Sequence, residues 1–224
     1  MRKRSASLLA LLTVGAVATT IGVAAAAGTS QSSLVNSAPS THTPNINNGA
    51  VNAIAEVGTT IIAGGTFSSV NPPGDTNSSH AVTRNFILAF DENTGVVSTT
   101  FVPTLDGAVE TLKPGPTPGT VYVGGDFNNV NGAKSKGVTL LNVSNGSTVS
   151  GFKPAAMNGV VFGMSLVGNR LLVAGTFTTL AGVSHQGIGS LVATTGALDP
   201  YMNVQLTGHH NFNGTSGANG AVGP

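Results

Sequence analysis

A seven-residue block occurs three times in this chain: Ile61-Ile62-Ala63-Gly64-Gly65-Thr66-Phe67, Val121-Tyr122-Val123-Gly124-Gly125-Asp126-Phe127 and Leu171-Leu172-Val173-Ala174-Gly175-Thr176-Phe177. Each is a β-prone apolar run, a Gly-Gly or Ala-Gly pair, a small polar residue and then Phe. A short apolar run bounded by turn residues reads as a buried strand. Its return at regular spacing reads as a repeat architecture, in which no unit buries its own apolar faces and neighbours must cover them.

Other elements recur in step. An opening motif stands at Asn48-Gly49-Ala50-Val51, Asp106-Gly107-Ala108-Val109 and Asn158-Gly159-Val160-Val161. A third apolar segment follows the block: Ile87-Leu88-Ala89-Phe90-Asp91, Val138-Thr139-Leu140-Leu141-Asn142 and Ile188-Gly189-Ser190-Leu191-Val192. Turns come next, at Thr94-Gly95, Asn145-Gly146 and Thr195-Gly196, and six residues beyond each Gly stands Phe101, Phe152 or Met202. Gly95 to Gly146 is 51 residues and Gly146 to Gly196 is 50. The unit is therefore about 50 residues with four strand-like segments, in the first unit near 51–57, 60–66, 85–91 and 96–101. The first unit carries about nine extra residues between Asn71 and His80, a Pro/Gly-rich stretch expected to be a loop.

Only 8% of the residues are charged and 31 are Gly, which suits short strands and tight turns rather than helices. The expected fold class is all-β, with β-propeller blades of four antiparallel strands. Three blades and a fourth opening motif, Asn219-Gly220-Ala221-Val222, fall short of the roughly 4–8 that close a propeller. The expectation is therefore an incomplete propeller whose further blades or domains belong to a longer product. The expected division is a signal peptide over 1–27, a flexible linker over 28–47, and blades over 48–104, 105–155 and 156–203. Residues 204–224 would be a loop and the start of a fourth blade.

Residues 1–27 carry the export pattern: Arg2-Lys3-Arg4, an apolar stretch from Leu8 to Val23, and the small residues Ala24–Ala27. The alternative is an uncleaved membrane anchor over 8–27, and the Ala run favours cleavage. Of the nine basic residues three lie in this leader, so the remainder carries six against eight acidic, a net of −2. No basic tract suited to nucleic acid is left. With no Cys, the exported chain must be held by packing and sheet hydrogen bonds alone.

The sequence Gly124-Gly125-Asp126-Phe127-Asn128-Asn129-Val130-Asn131-Gly132, with the Asp-x-x-Thr-Gly turn at Asp91–Gly95 and Phe-x-Pro at Phe101–Pro103 and Phe152–Pro154, resembles the delta-sixty type β-propeller repeat of exported, notably actinobacterial, proteins. A more distant likeness is to the propeller repeats of a fungal cortical polarity protein. The resemblance covers about 49–202 and implies a fold and a place outside the cell. It supplies no catalytic residues, and the third unit departs from it at Ala174 and at Asp199-Pro200-Tyr201-Met202.

Candidate chemistry is sparse. Asp126 and Asn128 offer alternating oxygen donors for a cation, although Thr66 and Thr176 replace Asp126 in the other units and no closing Glu follows. His209 and His210 are adjacent in a Gly/Asn-rich stretch and are the second metal candidate, without a third ligand in view. His185 could belong to a Ser-His-Asp set, but no Gly-x-Ser-x-Gly elbow accompanies it. Sequons at Asn77, Asn142, Asn145 and Asn213 are those an Asn-, Ser- and Thr-rich chain contains by chance. No cofactor is called for. The expected function is a secreted or cell-surface scaffold or binding module for an extracellular protein or glycan. The alternatives are an extracellular propeller hydrolase or lyase, and a calcium- or glycan-binding lectin-like propeller.

Overall fold

The computed structural model describes residues 42–202 and 204. The stretch expected to be an export signal, the expected linker up to residue 41, His209-His210, the sequon at Asn213 and the fourth opening motif lie outside them. No helix among the described residues is long and apolar enough to cross a membrane.

The first stretch runs β1 (Asn45–Ile46), β2 (Val51–Val57), β3 (Thr60–Gly65), β4 (Ser69–Asn71), a single 3-10 turn at Ser78–His80, β5 (Val82–Thr83) and β6 (Ile87–Asp91). The second holds β7 (Val109–Pro114), β8 (Thr120–Gly125), β9 (Asn129–Val130), β10 (Ala133–Lys134) and β11 (Val138–Asn142). The third holds β12 (Val161–Val167), β13 (Arg170–Gly175), β14 (Thr179–Leu180), β15 (Val183–Ser184), β16 (Ile188–Val192) and β17 (Leu198–Asp199). Among the described residues the fold is all-β, and its strand pairs are antiparallel.

The recurring block is the central strand of each main sheet. The orders are β2-β3-β6, β7-β8-β11 and β12-β13-β16-β17. The second central strand, β8, is apolar without alternation because both its faces are covered. Val121 and Val123 of β8 join a core with Ile62, Ile87 and Ala89 of the first sheet. Tyr122, from the opposite face of β8, joins a core with Val161, Leu171 and Leu191 of the third. Tyr122 also packs edge-on against Phe152 at 5.7 Å, and its hydroxyl donates to the Ala193 carbonyl, tying the second unit to the third. Burial pushes this phenol up to about 12.

That shift fixes a pH response. The unfolded phenol ionises near 10, so above that pH the unfolded chain binds fewer protons than the folded one and stability falls. Unfolding free energy is expected to be insensitive to Tyr122 below about pH 10 and to decline between roughly 10 and 12. Denaturant titrations across that range should show Tyr122→Phe removing the decline while costing about 1 kcal/mol at neutral pH.

The two glycines of the block have different reasons. Gly65, Gly125 and Gly175 sit opposite the irregularity in register that follows Val51, Val109 and Val161. A Cβ on Gly125 would run into the backbone oxygen of Ala108 and lie 3.0 Å from the Val109 Cα. Gly64 and Gly124 instead face the next sheet. A Cβ on Gly124 would lie 2.6 Å from the Thr111 methyl and 3.1 Å from Met164 and Val161 side-chain carbons.

The first residue of each opening motif is a clamp. Asn48 Oδ1 accepts from the Ser68 and Ser69 amides at 2.9 and 3.2 Å. Asp106 Oδ1 does the same for Asn128 and Asn129 at 2.8 and 2.9 Å, and Asn158 Oδ1 for Thr178 and Thr179 at 2.8 and 3.0 Å. These bonds hold the Asp106 carboxyl below its usual range, the Asn129 amide contributing most. Asp106→Asn keeps an oxygen for the two backbone amides but puts an NH2 where Oδ2 accepts from Asn129 Nδ2, so it should cost about one hydrogen bond, on the order of 1 kcal/mol. Asn158→Ala should cost about 1 kcal/mol, read by thermal or urea unfolding.

The structure departs from expectation at three points. The fourth strand forms only in the third sheet; in the first two it shrinks to the single bridges Phe90–Val97 and Leu141–Thr148. The cause is local. Ser190 Oγ donates to the Asp199 carbonyl at 2.9 Å and accepts from the Met202 amide at 3.0 Å, and Arg170 Nε lies 2.9 Å from the Asp199 carboxylate. The positions paired like Ser190 are Ala89 and Leu140, which have no hydroxyl. Secondly, β1 lies inside the stretch expected to be linker, and Ile46 pairs with Val70. Thirdly, short hairpins follow two of the blocks. Asn131 (φ 51°) with Gly132 (φ 77°), and Ala181 (φ 50°) with Gly182 (φ 78°), form their two-residue turns with the left-handed backbone such loops need. The extra residues of the first unit fall between β4 and β5, as expected of an insertion.

Candidate functional site

Asp126 is exposed, and its carboxylate accepts no hydrogen bond from the described residues. Asn128 Oδ1 accepts from Lys136 Nζ at 2.9 Å, so an ammonium occupies the oxygen a cation would use. Among the described residues no group of three or more His, Asp and Glu side chains is placed to hold a metal. His185 is buried, its amide donates to the Thr178 carbonyl, and its Nδ1 has no hydrogen-bond partner. Among the described residues no Ser or Asp is bonded to that Nδ1. In the insertion, Asp75 Oδ2 lies 2.7 Å from His80 Nδ1 on an exposed loop, and its Oδ1 accepts from the Asn77 amide.

The chemistry that does gather lies in a cleft between the second and third units. One wall is the β9–β10 hairpin with Ser135 and Lys136; the other is Lys153–Met157 on the way into β12. The second wall is pinned by the Lys153 amide on the Thr195 carbonyl at 2.6 Å and the Ala155 amide on Gly196 at 2.8 Å. The Met157 side chain packs over Gly137, whose φ of 78° and missing Cβ let the chain turn beneath it. The cleft is about 400 Å³, within the range of small-molecule sites.

Lys134, Lys136 and Lys153 line it together with the Asn128 amide and the Ser135 hydroxyl, and no acidic side chain does. Three of the nine Lys and Arg side chains in the sequence thus converge on one hollow. Lys134 and Lys153 are exposed and free to meet a ligand, while Lys136 is held by Asn128.

Two other hollows lack this character. The corresponding cleft between the first and second units, lined by Arg84 and Pro103 among others, is about 210 Å³. Its one cation is already committed: the Arg84 guanidinium donates to the Thr83 and Ser98 carbonyls, each at 2.8 Å. A hollow of about 380 Å³ beside Thr60, Phe90 and Ser144 contains Asp91. That carboxylate accepts from the Asn93 and Thr94 amides and from the Thr94 hydroxyl, which hold it below its usual range, the Thr94 hydroxyl most of all.

The lysine cleft was not anticipated from sequence. Its only linear trace is Lys134-Ser135-Lys136 followed by Lys153, and the hairpin that folds the two segments together is a tertiary fact.

No protein-family model and no curated protein matches the chain. Among solved structures, it is similar to the computationally designed Ika4 protein at a TM-score of 0.41 and 14% identity, over 67% of this chain and 70% of that one. It is similar to the computationally designed Ika8 protein at the same TM-score and identity, over 66% of this chain and 35% of that one. Likenesses of that order name neither a fold family nor an activity.

Proposed function

We propose that this chain is an exported β-propeller binding module that holds acidic extracellular glycans in the cleft between its second and third units. Each 50-residue unit is read as one blade, the first two with their outermost strand reduced to a bridge. Support for the propeller comes from the way the sheets adjoin: β7 lies against β2 on one side and β12 on the other, so the first strands of successive sheets are neighbours. Asn52 of β2 donates to the Val109 carbonyl and to Glu110 of β7 across that junction, at 3.3 and 2.8 Å. Support for export is the Arg2-Lys3-Arg4 leader with its apolar and small-residue stretches.

The observation that carries the ligand class is the convergence of Lys134, Lys136 and Lys153 on one hollow without a carboxylate. Ammonium groups with an amide and a hydroxyl suit a uronate or sulfated sugar, whose anionic groups they pair and whose hydroxyls they bond. Exposed pairs of this kind are weak singly and screened by salt. The protein should therefore be retained on immobilised polygalacturonate at low ionic strength, released by salt, and not retained on neutral dextran. Equal behaviour on the two polymers would contradict the reading. Export is checked separately, by whether the protein recovered outside the cell begins just after the Ala24–Ala27 run.

A further inference from the structure

Each main sheet has a front turned to the unit before it and a rear turned to the unit after it. The valine that closes an opening motif crosses the gap. Val109, at the front of the second sheet, lies against Gly64 on the rear of the first, with a Leu112 methyl beside it. Val161, at the front of the third, lies against Gly124 on the rear of the second, with the end of the Met164 side chain beside it. Both valines are buried. So are the rear-face residues around the two seats, Ile62 and Ile87 on the first sheet and Tyr122 and Val138 on the second.

The rear of the third sheet carries the same seat, with one methyl moved across its ladder. Ala174 stands where the first two sheets have Gly64 and Gly124. Opposite it is Gly163, where Ala53 and Thr111 stand opposite those glycines. The exchange keeps the seat open: Gly163, Leu172, Ala174 and Ile188 border a hollow of about 230 Å³. Leu172, Ala174 and Ile188 are half-buried, while their counterparts in both other sheets are buried. The other two seats each hold a valine.

One stretch of this chain matches that occupant. Asn219-Gly220-Ala221-Val222, outside the described residues, repeats Asn48-Gly49-Ala50-Val51 residue for residue and keeps the pattern of Asp106–Val109 and Asn158–Val161. It follows the third unit as those follow the first and second. The chain passes from Phe101 to Val109 in eight residues and from Phe152 to Val161 in nine, and it has twenty from Met202 to Val222. Twenty residues reach any point that nine can. The segment before residue 42 has no Asn-Gly or Asp-Gly step and so offers no such valine. A second copy offers the same motif, but a tether of this length holds the chain's own motif near the seat at an effective concentration on the order of millimolar. We infer that Val222 seats in the hollow on the rear of the third sheet, against Ala174, as Val109 and Val161 seat on Gly64 and Gly124. The assignment rests neither on a ligand nor on the number of units, and it holds whether or not further residues follow Pro224.

The absence of cysteine makes the seat readable by thiol chemistry. Ala174→Cys places one thiol under the proposed contact, and its alkylation rate in the full chain reports the cover, because a buried thiol is inert. That rate is expected to be at least about tenfold below the rate at Val96→Cys, an exposed position, and to approach it when Val222→Lys is added. Circular dichroism checks that each variant keeps its β-sheet. Ile188→Cys, across the hollow, gives the same reading should Ala174→Cys not fold. Ala174→Cys combined with Val222→Cys is expected to form a disulfide within one chain, at a rate independent of protein concentration. A thiol at Ala174→Cys as reactive as that at Val96→Cys overturns the inference. Protection that survives Val222→Lys also overturns it: if it grows with protein concentration, a second copy covers the face, and if it does not, another segment of the chain does.

Discussion

Gly125→Ala is expected to remove much of the stability of this protein, about 3–5 kcal/mol. A methyl there meets the Ala108 carbonyl oxygen and the Val109 Cα, both backbone atoms at the entry to the adjacent strand β7. Neither can swing aside without breaking the β7–β8 ladder. Gly124→Ala, one residue earlier, should cost only about 1–2 kcal/mol, because the Thr111 methyl and the end of the Met164 side chain can give way. Ordinary domains have about 5–15 kcal/mol in all, so the first variant stands near the limit of folding and the second does not. Urea unfolding of the two variants side by side reads the difference. Equal costs would mean that the second glycine answers to side-chain packing, and not to the close approach of two backbones.

The second large effect is an asymmetry between two residues in equivalent places. Leu112→Ala should cost about 2–5 kcal/mol, because Leu112 is 4% exposed between the first and second sheets. Thermal unfolding should fall by on the order of 10 °C. Ile54→Ala, at the matching position of the first sheet, should cost within about 0.5 kcal/mol, because Ile54 is 66% exposed. If both variants cost the same, the two sheets do not differ in what covers their front faces.

Much of this was legible in the chain. The block at Val121–Phe127 marks a central strand because a strand covered on both faces has no polar side to show, and its run of apolar residues and glycines says so. The insertion after Asn71 was legible from its prolines and its missing counterparts. The fourth strand was not, because its presence depends on one hydroxyl, Ser190, and on an ion pair between residues 29 apart, Arg170 and Asp199. Strand β1 was not, because two residues among polar neighbours carry no period. The two aspartates near the block exchange their apparent importance. Asp126 stood out because its counterparts are threonines, yet it stands exposed with no hydrogen bond to its carboxylate among the described residues. Asp106, whose counterparts are asparagines, clamps two backbone amides and the Asn129 side chain. The lysine cleft was hidden for a related reason: its residues lie on two segments that only the hairpin after β8 brings opposite one another.

The binding reading turns on Lys134 and Lys153, which are exposed in the cleft and bond through their side chains to none of the described residues. Replacing both by Ala should therefore leave the fold intact and remove the ligand contacts. The measurement is a calorimetric titration of polygalacturonate into the parent chain and into Lys134→Ala/Lys153→Ala, at low ionic strength. The predicted result is saturable binding to the parent, weakened at least about tenfold in the double variant and abolished by added salt. Undiminished affinity in the double variant, with its unfolding curve unchanged, would contradict the assignment of the cleft as the binding site.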